Sequence, residues 1–327
     1  MNVLISIQQP VRAWQIPDAA VETLRSRFPH LTFVHATDDE ARARALPDAE
    51  IAFTWILNAS ELTRAAKLRW VHSSAVAVET ICLPELFQRG ILLTNSRGIQ
   101  ATPIAEHVLA VMLALAKQLP FVMDYQRQKC WGQNDFIGER LPWLLKGRTL
   151  GLIGVGTIGS EIAQRAASFG MKVIALRRRT DRGGVLGVDE ILPPSSIGSL
   201  LARADVLVIA APLTAETEYL IGGPELARMK KGAVLINVGR ARIVDNSALV
   251  DALRSGHLGG ASLDVFPREP LPSDDPLWTL PNVILTPHTS GFRQGHWDDV
   301  IELFSENLKR FQAGEPVKFR VLPELGY

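Results

Sequence analysis

The sequence predicts an α/β protein made of two doubly wound parallel-sheet domains. Three observations predict it. Short runs of β-branched residues alternate with helical patterns from the first residues onward. A glycine-rich turn, Gly154-Val155-Gly156-Thr157-Ile158-Gly159, interrupts that alternation near the middle of the chain, and a second βα series follows it. A length of 327 residues suits about two domains, and 47% hydrophobic content is ample for packed cores.

The first series places strands at Val3–Ile7, Thr32–His35, Ile51–Trp55, Trp70–Ser73 and Leu92–Asn95, with helices near Ala19–Arg27 and Ser60–Ala66. A helix over Pro103–Gln118 leads away, with Thr102 as its expected N-cap and Pro103 in its first turn. Its run from Val108 to Ala116 is too short to span a bilayer and reads as a buried helix that could supply an oligomer interface. The second series places strands at Thr149–Ile153, Met171–Leu176, Val206–Ala210, Ala233–Asn237, Ala261–Asp264 and Val283–Thr286. Helices are expected at Ile197–Ala202, Pro224–Met229 and Ser247–Ser255, the last begun by Asp245 or Asn246 and stopped by Gly256. The Pro-rich stretch Phe266–Pro281 reads as a surface loop, and a final helix over about Trp297–Ala313 returns the chain to the first domain. The expected division is 1–99 plus 293–327 for a smaller, flavodoxin-like domain and 100–292 for a Rossmann domain.

A net charge of +1 gives no electrostatic reason to expect nucleic acid or a membrane as partner. Cys82 and Cys130 stand far apart and form no CxxC spacing, so neither a disulfide framework nor a metal site is expected, and a reducing cytoplasm fits. The N-terminus reads as a strand rather than a signal peptide.

The glycine turn has the context of a dinucleotide site. A strand precedes it, and Ile158, Ile162, Ala166 and Phe169 follow at helical spacing before Gly170 and the next strand. Gly154 permits the tight turn, Gly156 lets the backbone approach a pyrophosphate, and Gly159 lets helix and strand pack closely. The helix N-terminus then offers N–H groups and a positive dipole end to the phosphates. After the second strand an NAD-binding chain would carry an acid for the ribose hydroxyls; here Arg177, Arg178 and Arg179 stand instead. Guanidinium matches phosphate geometry and keeps its charge, so the 2′-phosphorylated cofactor, NADPH, is expected over NADH.

Three further segments lie just past strand ends, where ligands bind in open α/β sheets. They are Asn237-Val238-Gly239-Arg240, Asp264-Val265-Phe266-Pro267-Arg268-Glu269-Pro270 and Thr286-Pro287-His288-Thr289-Ser290-Gly291. Arg, Glu and His at three successive strand ends can hold a carboxylate, orient a proton carrier and transfer a proton. The remaining histidines, His30, His35, His72, His107, His257 and His296, lack such a context and read as structural.

With the GVGTIG turn, Ala211-Pro212-Leu213-Thr214, NVGRARIVD, SLDVFPREP and TPHTSG in this order, the chain resembles the D-isomer-specific 2-hydroxyacid dehydrogenase family over essentially its whole length. Within it, the arginines make the chain similar to the NADPH-dependent glyoxylate/hydroxypyruvate reductases. The resemblance implies reversible reduction of a small 2-oxo acid to the D-2-hydroxy acid, by a homodimer. His288 would donate the proton, and Glu269 would accept a hydrogen bond from its other ring nitrogen and favour the imidazolium. Arg240 would clamp the substrate carboxylate. Asp264, Ala211, Pro212, Val238, Gly239 and Gly291 would line the cofactor site.

In the first domain, Trp70–Glu79 resembles the family segment whose backbone N–H groups bind the carboxylate, with Val76 and Ala77 as the candidates. The family pattern commonly has glycines where Ala75 and Ala77 stand, and Glu79 replaces Asp. Alanine resists positive φ, so a different loop path is expected. Trp55 could wall the pocket; Trp131 and Trp143 could pack at a subunit interface. Two alternatives stay open: a dinucleotide-sensing interaction protein on this fold, as in the C-terminal binding protein corepressors, and a short-form phosphoglycerate dehydrogenase. Formate dehydrogenases lack the Glu–His pair, and a phosphite oxidiser remains possible.

Overall fold

The computed structural model describes residues 1–81, 83–181 and 183–322; Cys82 lies outside the described residues. The chain divides into two compact units, Met1–Gln100 with Phe292–Tyr327, and Ala101–Gly291.

The smaller unit begins with β1 (Asn2–Ser6), α1 (Asp18–Arg27), β2 (Thr32–His35), α2 (Asp39–Ala45), β3 (Ile51–Thr54), α3 (Ala59–Arg64), β4 (Trp70–Ser73), α4 (Pro84–Gln88) and β5 (Leu92–Thr94). Its parallel sheet runs β2-β1-β3-β4-β5, the flavodoxin-like order. β3 and β4 are buried at every position, as strands covered on both faces must be.

The larger unit holds α5 (Ala101–Ala116), α6 (Leu119–Gln128), β6 (Thr149–Ile153), α7 (Thr157–Ser168), β7 (Lys172–Leu176), β8 (Glu190–Leu192), α8 (Ile197–Arg203), β9 (Val206–Ile209), α9 (Gly223–Arg228), β10 (Ala233–Asn237), α10 (Asn246–Arg254), β11 (Leu258–Leu263) and β12 (Val283–Leu285). Its sheet runs β12-β11-β10-β9-β6-β7-β8, and every pairing is parallel. The order reverses beside β6, so the switch point falls at the glycine turn. The last helix, α11 (His296–Ala313), belongs to the smaller unit, where Phe304 stacks on Phe53 and Trp70. The chain beyond it returns to the β5 edge, with Val321 N–H donating to the Leu93 carbonyl.

Several expectations are corrected. Thr102 is not an N-cap, because α5 already begins at Ala101. The run from Val108 to Ala116 is the buried helix expected of it: Val108, Leu109, Val111, Met112, Leu115 and Ala116 are buried in the unit's own core with Leu150, Ile162 and Val206. The short elements α2, α4, α6 and β8 have no counterpart among the sequence-based elements. Asp245, not Asn246, caps α10, its side chain accepting from the N–H groups of Ser247 and Ala248. Phe169 is the C-cap of α7 and is exposed, whereas Ile162 and Ala166 form the buried face. No single helix among the described residues is long and apolar enough to cross a membrane.

Candidate active site

The glycine turn lies between the end of β6 and the start of α7, and each glycine answers a different constraint. Gly154 has a φ of 96°, and a Cβ there would sit 2.9 Å from the Ala211 backbone. A Cβ on Gly159 would lie 2.1 Å from the Gly154 carbonyl oxygen. A Cβ on Gly156 would meet nothing within 4 Å. Packing inside the protein therefore explains Gly154 and Gly159 but not Gly156, which keeps open the space over the first turn of α7. Gly156 is the N-cap and brings no capping side chain, so the first-turn N–H groups of Thr157, Ile158 and Gly159 lack intrahelical acceptors. An open space over free N–H groups at the positive end of a helix dipole fits a dinucleotide pyrophosphate. Val155 and Ile158 pack their side chains on the core and leave this backbone exposed.

Two other strand ends close against the turn. A Cβ on Gly239 would stand 2.8 Å from the Ala211 carbonyl oxygen, so Gly154, Ala211 and Gly239 bring the ends of β6, β9 and β10 into backbone contact. Val238 is buried and donates its N–H to the Ile209 carbonyl at 3.1 Å; Pro212 is exposed and Gly291 buried.

Past β7 the three arginines separate. Arg177 is half-buried, and its guanidinium donates to the Gly183 carbonyl at 2.7 Å and to the Thr180 carbonyl at 3.4 Å. Its buried Nε has no partner among the described residues. Arg178 and Arg179 are exposed. Arg178 also acts on the loop past β9: Glu216 is held below the usual carboxylate range by the Thr214 hydroxyl first, with Arg178 adding to the effect.

The chemistry-bearing side chains follow β10, β11 and β12, three neighbouring strands. His288 Nδ1 lies 2.8 Å from Glu269 Oε2. The other Glu269 oxygen accepts from the Phe266 N–H at 3.0 Å, which fixes the carboxylate's orientation. His288 Nε2 has no partner among the described residues. The imidazole is 52% exposed and the carboxylate 38%, so both remain reachable.

His288 has a φ of 54°, a conformation that costs a non-glycine residue energy and must be held by its surroundings. Asp264 holds it. This buried carboxylate accepts from the Thr286 hydroxyl at 2.6 Å, the Thr289 N–H at 2.9 Å and the Ser290 N–H at 3.1 Å. It clamps both sides of His288, a positioning role that the sequence did not reveal. His107, 179 positions away on α5, lies 3.5 Å from the Thr286 hydroxyl. Burial lowers its pKa, with the Asp264 charge opposing that shift. No signal in the sequence links His107 to this loop, because its context is a helix face. Arg240 follows β10 and donates to the Gly239 carbonyl at 2.9 Å; Asn237 braces that corner, accepting from Gly239 N–H and donating to the Arg240 carbonyl.

In the smaller unit, the segment after β4 carries Val76 and Ala77, both half-buried. Neither Ala75 nor Ala77 has positive φ. Alanine is therefore unstrained at both positions. Trp55 packs on the core and donates its indole N–H to the Gln8 carbonyl at 3.0 Å. In the larger unit Trp143 is half-buried beneath the Arg148 guanidinium, and Trp131 is exposed.

A seven-stranded parallel sheet with a glycine turn at its switch point defines an NAD(P)-binding protein of the Rossmann class. Residues 109–290 match the family model "D-isomer specific 2-hydroxyacid dehydrogenase, NAD binding domain". A glyoxylate reductase of Korarchaeum cryptofilum is 37% identical over 261 residues, covering 79% of this chain and 77% of that one. Among solved structures, a D-isomer-specific 2-hydroxyacid dehydrogenase family protein of Aeromonas salmonicida superposes with a TM-score of 0.83 at 34% identity, covering 98% of this chain and 99% of that one. An NADPH-dependent glyoxylate/hydroxypyruvate reductase of Sinorhizobium meliloti, in complex with NADP and sulfate, gives a TM-score of 0.85 at 26% identity, with 100% and 99% coverage. The chain belongs to the D-isomer-specific 2-hydroxyacid dehydrogenase family. It is an oxidoreductase that interconverts a 2-oxo acid and its 2-hydroxy acid.

Proposed function

We propose that this enzyme is an NADPH-dependent reductase of small 2-oxo acids of the glyoxylate and hydroxypyruvate type, forming the D-2-hydroxy acid. The observation that carries the reading is the 2.8 Å contact between His288 Nδ1 and Glu269 Oε2, with Nε2 left over to exchange a proton. NADPH, when bound, supplies the hydride that reaches the keto carbon. The protein's part is to bind, orient and protonate. Arg240 holds the carboxylate and draws charge from the carbonyl. In the smaller unit, the N–H groups of Val76 and Ala77 are the candidate donors to a carboxylate. The imidazolium of His288 gives its Nε2 proton to the carbonyl oxygen and keeps its Nδ1 proton on Glu269. The neutral imidazole is then reprotonated from solvent. Asp264 acts through the loop it clamps.

Gly154, Val155, Gly156, Thr157, Ile158 and Gly159 would hold the pyrophosphate, with Ala211, Pro212, Val238, Gly239 and Gly291 around the remainder of the cofactor. Arg178 and Arg179, exposed past β7, would read the 2′-phosphate, and Arg177 would shape their loop. The NADP carried by the Sinorhizobium enzyme supports this choice. A homodimer belongs to the same reading. It would cover Trp131, Ile137 and Leu144, which are 89%, 71% and 66% exposed in a single chain. A reducing, cytoplasmic setting suits the free exposed thiol of Cys130.

The test is kcat/KM for NADPH and NADH with hydroxypyruvate, alongside Glu269→Gln, His288→Gln and the Arg178→Ala/Arg179→Ala pair. NADPH should be preferred, and the arginine pair should erase that preference while sparing NADH. His288→Gln should lower kcat by roughly 10²–10⁴-fold, the usual worth of a general acid. Glu269→Gln should lower kcat less and alter its pH profile. Tight NADPH binding with no turnover on any 2-oxo acid would overturn the reading, and wild-type rates in Glu269→Gln would remove the role given to that residue.

A further inference from the structure

The turn after β4 lacks the glycines that such an N–H-presenting loop commonly uses, yet a set of buried side chains determines which way its peptide groups face. Asn95, 1% exposed just past β5, donates from Nδ2 to the Val76 carbonyl at 2.8 Å. Ser96 N–H donates to the Ala75 carbonyl at 3.1 Å. Ser73 Oγ donates to the Ala77 carbonyl at 3.4 Å and accepts from the Ala75 N–H at 3.2 Å. Three successive carbonyls are thus tied to buried groups of the unit. The N–H groups of Val76 and Ala77 have no partner among the described residues. A peptide group is rigid and its N–H lies opposite its C=O. Fixing the carbonyls of Ala75 and Val76 therefore fixes the direction of the N–H groups of Val76 and Ala77.

The tie is itself held from below. The Trp70 indole, which can only donate, bonds to Thr94 Oγ1 at 2.9 Å, and Thr94 Oγ1 lies 2.6 Å from His72 Nδ1. His72 Nε2 lies 3.4 Å from Ser96 Oγ, which donates to the Ser73 carbonyl at 2.9 Å. One assignment gives every group a partner: Trp70 to Thr94, Thr94 to His72 Nδ1, His72 Nε2 to Ser96, Ser96 to Ser73. This wire connects the ends of β4 and β5, the two strands from which the loop and its staples emerge.

We infer that Asn95 is a positioning residue for substrate: by holding the Val76 carbonyl inward it presents the Ala77 N–H to the substrate carboxylate, while the Ser96 N–H on the Ala75 carbonyl does the same for the Val76 N–H and Ser73 is a supporting staple. The inference rests on the 2-oxo acid reading and adds a residue to it that touches neither substrate nor cofactor. It also accounts for how alanines occupy this loop, since side-chain staples do what positive-φ glycines do elsewhere.

Asn95→Asp tests it in the full-length enzyme. The substitution keeps the shape, removes the Nδ2 donor and sets a carboxylate against the Val76 carbonyl. The readouts are kcat and KM for glyoxylate, oxalate affinity in the NADPH complex, NADPH affinity alone and the thermal midpoint. KM and the oxalate constant should rise together by about tenfold, the size of one lost hydrogen bond to a charged group. NADPH affinity should be unchanged and kcat should stay within a few-fold. A general loosening of the fold would not produce that split. Should Asn95→Asp fail to fold, Ser73→Ala removes the weaker staple and should move KM and the oxalate constant in the same direction by a smaller factor. A folded variant with unchanged KM and oxalate binding, or with kcat alone reduced, overturns the inference. Absence of 2-oxo acid turnover in the wild type overturns the functional reading instead, and oxalate binding then reads the loop independently.

Discussion

The turn Gly154–Gly159 in the larger unit and the turn Ser73–Ala77 in the smaller one both follow the carboxyl end of a parallel strand, and both leave backbone N–H groups without acceptors. They reach that state with different residues. The first brings backbone against backbone, at Ala211 and within the turn itself, and only glycine leaves room. The second is held by the side chains of Asn95 and Ser73 and by the Ser96 backbone N–H, and tolerates alanine. Glycine is thus a requirement of close approach and left-handed φ, not of anion-binding turns in general. Where buried side chains set the peptide orientation, alanine has the further advantage of restricting the unfolded chain.

The comparison breaks most visibly at Gly159. Gly159→Ala would place Cβ 2.1 Å from a carbonyl oxygen of the same turn, and neither backbone segment can yield cheaply. We expect a loss of about 4 kcal/mol or more, in the range reserved for severe packing defects, seen as a large drop in thermal midpoint or as insoluble protein. Gly156→Ala separates space from strain, because its Cβ meets no protein atom within 4 Å. That variant should fold with its apo thermal midpoint nearly unchanged, yet bind NADPH at least about tenfold more weakly, a difference of about 1.4 kcal/mol. Wild-type NADPH affinity in Gly156→Ala would show that the open space is not a phosphate cradle.

The same contrast explains what the sequence could reveal. The glycine turn is legible because its demands are local: a strand, a tight turn and a helix within about twenty residues, each with a residue type that answers it. The seven-stranded sheet was legible through periodicity, apart from β8, whose Glu190-Ile191-Leu192 is too short to carry a pattern. Glu269 and His288 were legible as residues past successive strand ends, and the structure brings them to 2.8 Å. The supports were not legible. Asp264 clamps residues 22 to 26 positions away, Asn95 holds a carbonyl 19 positions back, and His107 meets a loop 179 positions on. Such pairings depend on which strands are neighbours, and spacing along the chain does not encode that. Periodicity is equally blind to what covers α5: a helix apolar nearly all round is as well explained by its own core as by a partner, and most of its apolar side chains pack within its own unit.

The smaller unit's turn is also underlain by a buried titratable group, His72. Burial pushes the His72 pKa down from 6.5 to about 3. The folded protein therefore binds this proton less readily than the unfolded chain does. Between pH 6.5 and about 3 the unfolded state takes up the extra proton, so stability falls as pH drops through that window and is fully present above it. Protonation of Nδ1 would also set two donors against each other at Thr94. His296, pushed down to about 4 by burial first and Arg293 second, adds to the same trend. Denaturant unfolding at pH 7 and at pH 5 should show a loss of about 1.4 kcal/mol per pH unit from each group once the pH is well below 6.5. A flat profile between those pH values would mean that neither imidazole is held neutral by the fold.

The smallest effect is expected where the comparison is finest. Ala75→Gly and Ala77→Gly restore the residue commonly found in such loops, at positions where positive φ is absent. With no strain to relieve, each glycine only enlarges the unfolded ensemble and loosens the loop, costing about 0.4–1 kcal/mol. Because the staples from Asn95, Ser96 and Ser73 remain, KM for glyoxylate should rise by no more than about threefold, just under half of the ~1.4 kcal/mol that a tenfold change represents. The opposite result is the informative one. A higher thermal midpoint together with a lower KM would show that the alanines are strained, and that the loop works despite them rather than through the side chains that hold its carbonyls.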